Sequence, residues 1–424
     1  MPKTKTLPLL FALLLLVLPA CSKQEENGSR DQRSNPTPPI SLTARKQEAG
    51  KIDPALISAH NRLGLQLHRE LTGQAEAGDK VLLSPYSIWT ALSIAYNGSA
   101  GTTAREMASV FGLKDMPVTE MNEGNAILSR LLEGEDSGVR LNIANAIWHQ
   151  QGVPFKDSFI QAGKESYGAE VQEVDFASDK SVKTINRWIS KETEGKIEKM
   201  LGQPLSPTTI AVLANAIYFN GSWTDPFNPE YTKDEPFTLA DGGVRTLPMM
   251  HTANMLPYKE TPDWQAVRLP YGDGRMNMLV ILPAASSSLD QLEQQLWADP
   301  APWQQPFDEA SVQLGLPRFK AEYGSDLKDP LIRLGMKQAF QPDEADFSHM
   351  ADIRPLFLSQ VLHRMVLDVN EKGTEAAAAT VIGVESGAMP MEVHEMTVNR
   401  PFFLAIEDTQ THAWLFIGSV NDPE

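Results

Sequence analysis

The chain has 424 residues, a formal net charge of −17 and a single cysteine. So acidic a chain repels nucleic acids and anionic lipid surfaces, and it disfavours a heparin-like cofactor for the same reason. The length exceeds the usual size of one domain, yet beyond about residue 55 no proline- or glycine-rich break, charge shift or internal repeat divides the sequence.

The first twenty residues have the pattern of an export signal. Two lysines precede an apolar run over residues 7–18, and a small residue precedes Cys21. A charged start, a short apolar stretch and a small residue before the cleavage point are typical of a secretory signal peptide. The run is too short to span a bilayer comfortably. Residues 1–20 are therefore interpreted as a signal peptide, whose removal with its two lysines would give a net charge of −19.

Cys21 lies where bacterial lipoproteins are cut and diacylated, so it is the predicted lipid attachment site. Pro19 departs from the small residue usual at that place, and an ordinary cleaved signal with an incidental cysteine is the alternative. Ser22, rather than an aspartate, favours outer-membrane sorting by analogy. The protein is thus expected to be exported and lipid-anchored to the bacterial cell envelope, at the outer membrane or the cell surface.

Residues 21–54 are poor in large apolar side chains and rich in Ser, Gln, Glu, Asn and Pro. Such a segment cannot bury enough apolar surface to offset the entropy of ordering, so it is predicted to be a disordered tether. Residues 55–424 are then predicted to form one domain.

The patterning within this domain is mixed. Apolar residues at helical spacing predict a helix over residues 54–71. Nearly continuous apolar runs over residues 210–219 and 276–282 predict strands that are buried on both faces, and residues 414–420 also have a strand pattern. These elements indicate an α+β protein.

The most informative segment spans residues 368–384, where an acidic residue and a glycine precede a threonine and a run of four alanines. In a strand, alternate residues share one face, and the first four residues on the face that begins at Thr374 are small, so this strand could enter an existing sheet without overpacking the core. No proline occurs over residues 371–389, where it would remove a ladder donor. A flexible alanine-rich surface loop is the alternative. The start of this segment is called the hinge here, and its residues are Glu371, Gly373, Thr374, Ala376, Ala377, Ala378, Ala379 and Thr380.

Several motifs accompany this hinge in a fixed order. They are residues 83–88, 97–106, 142–147, 174–176, 185–189, 193–197, 214–223 and 399–404. Together with the hinge they resemble the motifs of the serpins, inhibitors that trap proteases by changing shape. The resemblance covers roughly residues 55–424.

The resemblance implies a fold and a mechanism. The expected fold is the serpin fold, a central mostly antiparallel sheet with further sheets, about eight to nine helices and an exposed reactive-centre loop over about residues 371–398. The expected function is suicide inhibition of serine endopeptidases, with cysteine endopeptidases as a further target class. The protease would form a covalent acyl-enzyme while the cut loop enters the sheet from Thr374 onward. A monomer without a cofactor, a metal or enzymatic activity is expected.

The reactive bond is also placed by the resemblance. In inhibitory serpins it usually follows the hinge glutamate by sixteen positions, which gives Gly387 and Ala388, with Val384 and Met389 as alternatives. No Lys or Arg occurs over residues 373–399, so trypsin-like proteases lack a charged side chain to bind. Small and medium apolar residues suit elastase-like or subtilisin-like pockets.

Two supporting regions follow from the resemblance. Trp223 matches the family's breach tryptophan, beneath the point where the loop enters the sheet. Ser84, Ser87, Asn215 and His363 match the shutter, beneath the opening strands. A core tryptophan and a satisfied buried polar network are the simpler interpretations, and they are compatible with these roles.

Other functions have less support. A non-inhibitory serpin acting as a binding or chaperone-like protein stays open, although the small hinge residues argue against it. A lipid-tethered hydrolase or solute-binding protein would need a site that the sequence does not show, because it has no Gly-x-Ser-x-Gly elbow, phosphate-binding loop or paired zinc histidines. The single cysteine at position 21 excludes a cysteine nucleophile inside the domain.

Overall fold

Two β-sheets and a set of helices arise from the patterns above. The computed structural model describes residues 1, 42–76, 78–132, 138–206, 208–374 and 392–423. The elements given below belong to the unit Pro39–Glu424. The residues of the sequence predictions that lie outside the described residues are Cys21, Ala376, Ala377, Ala378, Ala379, Thr380, Val384, Gly387, Ala388 and Met389.

The described residues contain ten α-helices, against the eight to nine expected. The helices are α1 Leu42–Ala49, α2 Pro54–Thr72, α3 Pro85–Gly98, α4 Gly101–Phe111, α5 Val118–Leu132, α6 Asp157–Tyr167, α7 Asp179–Glu192, α8 Leu289–Ala298, α9 Ala301–Gln304 and α10 Lys328–Leu334. The helix expected over residues 54–71 is α2, which begins after Asp53, whose side chain accepts a hydrogen bond from the Ala55 backbone N–H. No helix within the described ranges is long and apolar enough to span a membrane.

Fifteen strands lie in the described part of the chain. They are β1 Val81–Leu83, β2 Val139–Gln150, β3 Glu170–Val174, β4 Ala211–Ser222, β5 Lys233–Thr238, β6 Val244–Glu260, β7 Trp264–Tyr271, β8 Met276–Pro283, β9 Asp308–Pro317, β10 Phe319–Asp326, β11 Leu358–Asn370, β12 Gly373–Thr374, β13 Val393–Thr397, β14 Phe402–Asp408 and β15 Trp414–Val420. The three strands predicted from the sequence correspond to β4, β8 and β15.

The strands form a nine-stranded and a six-stranded sheet. The larger follows the order β1-β15-β14-β8-β7-β6-β9-β13, with β5 paired to β6. The smaller, called the central sheet here, follows the order β10-β11-β12-β4-β2-β3. Its β10–β11, β11–β12, β12–β4 and β2–β4 pairs are antiparallel, whereas β11–β4 and β2–β3 are parallel. The expectation of an α+β fold with a mostly antiparallel central sheet is confirmed.

The central sheet is covered on both faces. Helix α3 contacts β4 and β2 on one face, called the back here. On the opposite face, called the front, Ile185 and Ile189 of α7 pack with Ala214, Ala216 and Val366. Burial on both faces explains why β4 has a nearly continuous apolar sequence rather than an alternating one.

Helix α1 differs from the disordered tether predicted over residues 21–54. Arg45 is only 6% exposed, and its Nη2 donates to the carbonyl oxygen of Leu131 at the end of α5, as does Nη2 of Arg275. Glu48 pairs with Arg130 at 3.6 Å. The composition argument counted only apolar burial, so it missed a helix that is held by a buried arginine.

A buried polar cluster joins α2, α8 and β15. His68 Nε2 lies 3.0 Å from Ser419 Oγ, which donates to Glu293 Oε1. Trp297 Nε1 donates to His68 Nδ1 at 3.2 Å. Burial lowers the pKa of His68 to about 3 and raises the pKa of Glu293 to about 7. The imidazole is therefore neutral, and the carboxyl carries a proton below about pH 7.

Replacing Glu293 by Gln should remove a pH dependence of stability. The folded protein holds the Glu293 proton up to about pH 7, whereas the unfolded chain releases it near the ordinary value of 4.5. The protonated Glu293 therefore stabilises the folded protein fully below pH 4.5. As the pH rises to 7, the free energy of unfolding falls by an amount of the order of 2 kcal/mol. Thermal unfolding midpoints at pH 5 and pH 7.5 measure the difference between wild type and Glu293→Gln. The exposed Glu309→Gln is the control, and an equal pH profile in all three proteins would contradict the assignment.

Candidate functional site: a hinge at the top of the central sheet

The hinge begins where β11 ends. Glu371 and Lys372 reverse the chain, and β12 then lies between β11 and β4. Thr374 is opposite Val369 on β11 and Gly221 on β4. The first two residues of the hinge strand are therefore already paired with both neighbouring strands.

Gly373 is the residue that permits this close approach. Its backbone φ of +147° lies in a region that residues with a side chain rarely adopt. A Cβ built at this position would lie 2.0 Å from the carbonyl oxygen of Gly221. Any residue with a side chain would therefore push the hinge out of the gap between β11 and β4.

Glu371 fastens the start of the hinge. Its side chain accepts a hydrogen bond from Thr232 Oγ1 at 2.8 Å and lies 3.5 Å from Arg318 Nη1. Its backbone carbonyl accepts from the Phe227 N–H at 2.8 Å. Glu371 is only 9% exposed, so these bonds are shielded from water more than those of a surface ion pair.

Trp223 supports the hinge from below. Its indole Nε1 donates to the carbonyl of Asn370 at 2.9 Å, and its backbone N–H donates to the carbonyl of Lys372 at 3.0 Å. The indole stacks on Tyr271, with 4.3 Å between ring centres and 14° between ring planes. Trp223 therefore fixes the backbone on both sides of Glu371.

Tyr271 connects this support to the hinge strand. Its hydroxyl lies 2.8 Å from Thr374 Oγ1, and both residues are fully buried. Burial raises the pKa of Tyr271 above its ordinary value, so the phenol is neutral and either hydroxyl can donate. Thr374 thus points into the core behind the central sheet.

A buried polar network joins β4 and β11 further down. His363 and Asn215 are opposite one another on the two strands, and His363 Nδ1 lies 3.1 Å from Asn215 Oδ1. His363 Nε2 accepts from the Ser84 backbone N–H at 3.1 Å, which assigns the ring proton to Nδ1. Ser87 Oγ also donates to Asn215 Oδ1. Asn215 in turn donates to Asn145 Oδ1 at 2.6 Å.

The start of helix α3 supplies the two serines of this network. Ser84 is the N-cap, whose hydroxyl accepts from the Ser87 backbone N–H, and Ser87 in the first turn donates its own hydroxyl to Asn215 on β4. Burial lowers the pKa of His363 to about 3, and the charge of Arg364 adds to the effect. The network is therefore neutral at physiological pH and is satisfied while β4 and β11 are adjacent.

The structure brings the sequence-predicted residues into two groups on one seam. One group lies at the hinge end of β4 and β11, called the top here, and consists of Glu371, Gly373, Thr374 and Trp223. The other lies further along the two strands and consists of Ser84, Ser87, Asn215 and His363. The row of Thr374 and the row of His363 are six residues apart on each strand, or about 20 Å. The two groups can therefore act in succession on one opening event.

Four further residues of the site were missed from the sequence. Asn145 had a signal, since it is a polar residue at a buried position in an apolar strand. Thr232, Tyr271 and Arg318 reach the hinge from strands or turns far away in the chain, and nothing local to them indicates it.

The arrangement is suited to a change of strand pairing. Its polar groups are already bonded to one another, and the neutral His363 donates to an amide rather than activating a nucleophile. Among the described residues, no three His, Cys, Asp or Glu side chains are grouped so that they could hold a metal ion. The chemistry this site can support is the exchange of strand pairings.

Comparisons with known proteins agree with this geometry. The family model described as "Serpin (serine protease inhibitor)" matches residues 58–423. The leukocyte elastase inhibitor of Bos taurus is 34% identical over 380 residues, which cover 87% of this chain and 99% of that protein.

Two solved structures share the fold. The thermophilic serpin tengpin in its native state has a TM-score of 0.80 at 28% identity, covering 88% of this chain and 95% of tengpin. Human thyroxine-binding globulin, in complex with its ligand, has a TM-score of 0.79 at 27% identity, covering 88% of this chain and 100% of that protein.

Replacing Glu371 by Ala should loosen the hinge. The change leaves the Thr232 hydroxyl and the Arg318 guanidinium without their shared partner, which we expect to cost about 2 kcal/mol because the carboxylate is buried. The matched control is Glu322→Ala, whose pair with Lys320 is shorter at 2.7 Å but more than half exposed on both sides, so its loss should cost less than about 0.5 kcal/mol. Thermal unfolding midpoints compare the two variants. Equal midpoints would show that Glu371 does not anchor the hinge.

Proposed function

This chain belongs to the serpin family, and from that premise we propose that it inhibits serine endopeptidases by covalent trapping, with insertion of its loop into the central sheet. The observation that carries the proposal is the position of β12. Gly373 and Thr374 already pair with both β11 and β4, which is the pairing that a loop entering between these strands would extend.

The register of β12 specifies where an inserted loop would lie. Each further loop residue steps one position down both strands in antiparallel register. Continuing from Thr374 opposite Val369 and Gly221, Thr380 would arrive opposite His363 and Asn215. Its hydroxyl would then lie in the polar network and replace the hydrogen bond that insertion breaks.

The same register explains the small hinge residues. Ala376 would lie between Leu367 and Phe219, and the next residue on that face between Met365 and Ile217, four side chains that are buried. A large side chain at these loop positions would overpack the core. The alanine run therefore suits a loop that inserts into the sheet. A loop that stayed on the surface would not require small side chains.

The covalent step follows the chemistry of the target protease. Its serine oxygen attacks the carbonyl carbon of the reactive bond, proposed as Gly387–Ala388; the C–N bond breaks, and the new amine leaves with a proton from the protease's histidine. The acyl-enzyme ester then remains on the loop. Insertion of the thirteen residues after Thr374 would place that ester about 40 Å along the sheet from Thr374. Distortion of the protease would prevent deacylation.

The loop composition favours elastase-like or subtilisin-like targets. Gly387, Val384 and Met389 offer small or apolar side chains, and residues 373–399 contain no Lys or Arg. Similarity to a leukocyte elastase inhibitor supports the same class. A cysteine protease could be held through the corresponding thioester.

A non-inhibitory, ligand-binding serpin is the second candidate. A cavity of about 700 Å³ lies beside α2 and α8, lined by Leu65, Arg69 and Trp297 among others. Thyroxine-binding globulin is a ligand-binding protein of similar fold. This alternative leaves the paired β12 without a role, so we place it second.

We also propose that the protein is exported and tethered to the bacterial envelope through lipid on Cys21. The support is the signal pattern of residues 1–20 and the position of the single cysteine after it. Metabolic labelling with an alkyne fatty acid in a bacterial host tests this directly. Wild type should be labelled and Cys21→Ser should not, and an unlabelled wild type would contradict the anchor.

Covalent trapping should depend on a residue at position 376 that has a small side chain and a backbone N–H. Mixed with an elastase, a subtilisin, trypsin and a papain-like protease, the wild type should form a complex of summed mass that resists detergent and heat. Ala376→Pro should be cleaved without forming it, because proline removes a ladder donor from a central strand. The control Ala376→Ser should still trap.

Two results would contradict this account. A complex that persists undiminished in Ala376→Pro would show that insertion is not needed. Clipping of the wild type by every protease, without any complex, would exclude inhibition of these classes. Mass spectrometry of the released peptide identifies the cut bond. A cut at Val384 or Met389 would replace Gly387–Ala388 by one of the alternatives, and a cut outside residues 384–389 would refute all of them.

A further inference from the structure

The chain between α7 and β4 crosses the front of the central sheet. Glu194 accepts hydrogen bonds from Arg140 and Asn142 on β2, at 2.5 and 3.1 Å. The Lys196 ammonium lies 5.8 Å from the centre of the Tyr218 ring on β4. The segment 195–199, called the crossing loop here, then reaches a cavity beside β10 and β11. It therefore passes from β2 over β4 to the far side of the β4–β11 seam.

This cavity has a volume of about 590 Å³ and is rich in cations. The crossing loop contributes Lys196 and Lys199, β10 contributes Lys320, and β11 contributes Arg364. Two carboxylates, Glu198 and Glu322, also line the cavity, so it carries two more positive than negative side chains. That excess contrasts with the net charge of −17 of the whole chain.

Two of the cations have no oppositely charged partner among the described residues. Lys320 pairs with Glu322 at 2.7 Å. The side chains of Lys199 and Arg364 form no hydrogen bond or ion pair with any residue that the structure describes, and both residues are exposed. The four cations outnumber the two carboxylates of the cavity, and a bound anion would offset the excess positive charge.

The strand beside Arg364 is shaped to leave the guanidinium room. Gly324 lies opposite Arg364 in the β10–β11 ladder. A Cβ built at Gly324 would lie 2.5 Å from both Cδ and Nη1 of Arg364. The guanidinium therefore lies over β10, at the wall of the cavity, where its planar set of donors suits a phosphate or carboxylate group.

We propose that this cavity binds a small polyvalent oxyanion, one that carries phosphate or carboxylate groups, between the crossing loop and the strands β10 and β11. Arg364 would bind one anionic group through its fork of donors, and Lys199 would bind another from the crossing loop. Such a ligand would tie a segment that lies over β4 to β11 itself.

The consequence rests on the proposed function, in which β4 and β11 separate to admit the loop. A ligand held on both sides of their seam would oppose that separation. The anion would therefore slow loop insertion and act as a regulator of the inhibitor. Binding itself does not depend on inhibition, so the two can be tested apart.

Calorimetric titration with inorganic pyrophosphate, at low ionic strength, tests the site in the full-length protein. The double variant Lys199→Gln/Arg364→Gln should bind about tenfold or more weakly, since each lost cation removes charge-assisted bonds. The control Lys114→Gln/Arg187→Gln removes the same charge from exposed positions outside the cavity and should bind as wild type does. Absent binding in wild type, or equal weakening in both double variants, would overturn the site.

The regulatory part is measured without a protease. A synthetic peptide of residues 374–384 added to the uncut protein reports sheet opening through its rate of uptake. Pyrophosphate should slow uptake several-fold in wild type and leave the Lys199→Gln/Arg364→Gln rate unchanged. A wild type that binds pyrophosphate yet takes up peptide at the same rate would refute the regulation. Failure of the peptide to enter at all would contradict the proposed function instead, and the titration alone would then decide the site.

Discussion

The parallel pairing of β4 with β11 is the constraint on which the rest of the molecule depends. The two strands share one ladder over Ala211–Tyr218 and Leu358–Val366, but at their upper ends β12 lies between them. A loop strand that continued β12 would replace this one parallel ladder by two antiparallel ones, which are the more stable kind per residue. Under the proposed function, the closed sheet would therefore have fewer strand hydrogen bonds than the inserted form, and this difference is what insertion would release.

Two sets of contacts keep the sheet in its closed form. At the top, Glu371 and Trp223 hold the turn that leads into β12. Lower down, the neutral His363 is bonded to Asn215 and Ser84 only while β4 and β11 are neighbours. Breaking buried hydrogen bonds before new ones form is costly. If the loop inserts as proposed, the closed protein would be held by a kinetic barrier rather than by the depth of its free-energy minimum.

Local patterns in the sequence predicted part of this structure. The periodicity of residues 54–71 and the apolar run of 210–219 define α2 and β4, since the spacing of apolar residues reflects the face that each element buries. The helix at Leu42–Ala49 was missed because it depends on Arg45 bonding to a carbonyl 86 residues away. Thr232 and Arg318 were missed for the same reason, as they meet Glu371 across 139 and 53 residues. Contacts between distant segments leave no periodic signal.

The most direct measurement of the central claim is the thermal unfolding midpoint before and after a single cut in the loop. A protease that clips the loop without being trapped provides the cut form, and mass spectrometry confirms a single cut within residues 375–391. If the closed sheet is metastable, the cut protein gains several kcal/mol from the inserted strand, and its midpoint rises by roughly 10 °C or more. An unchanged or lower midpoint would show that the loop does not enter the sheet, and it would contradict inhibition by insertion.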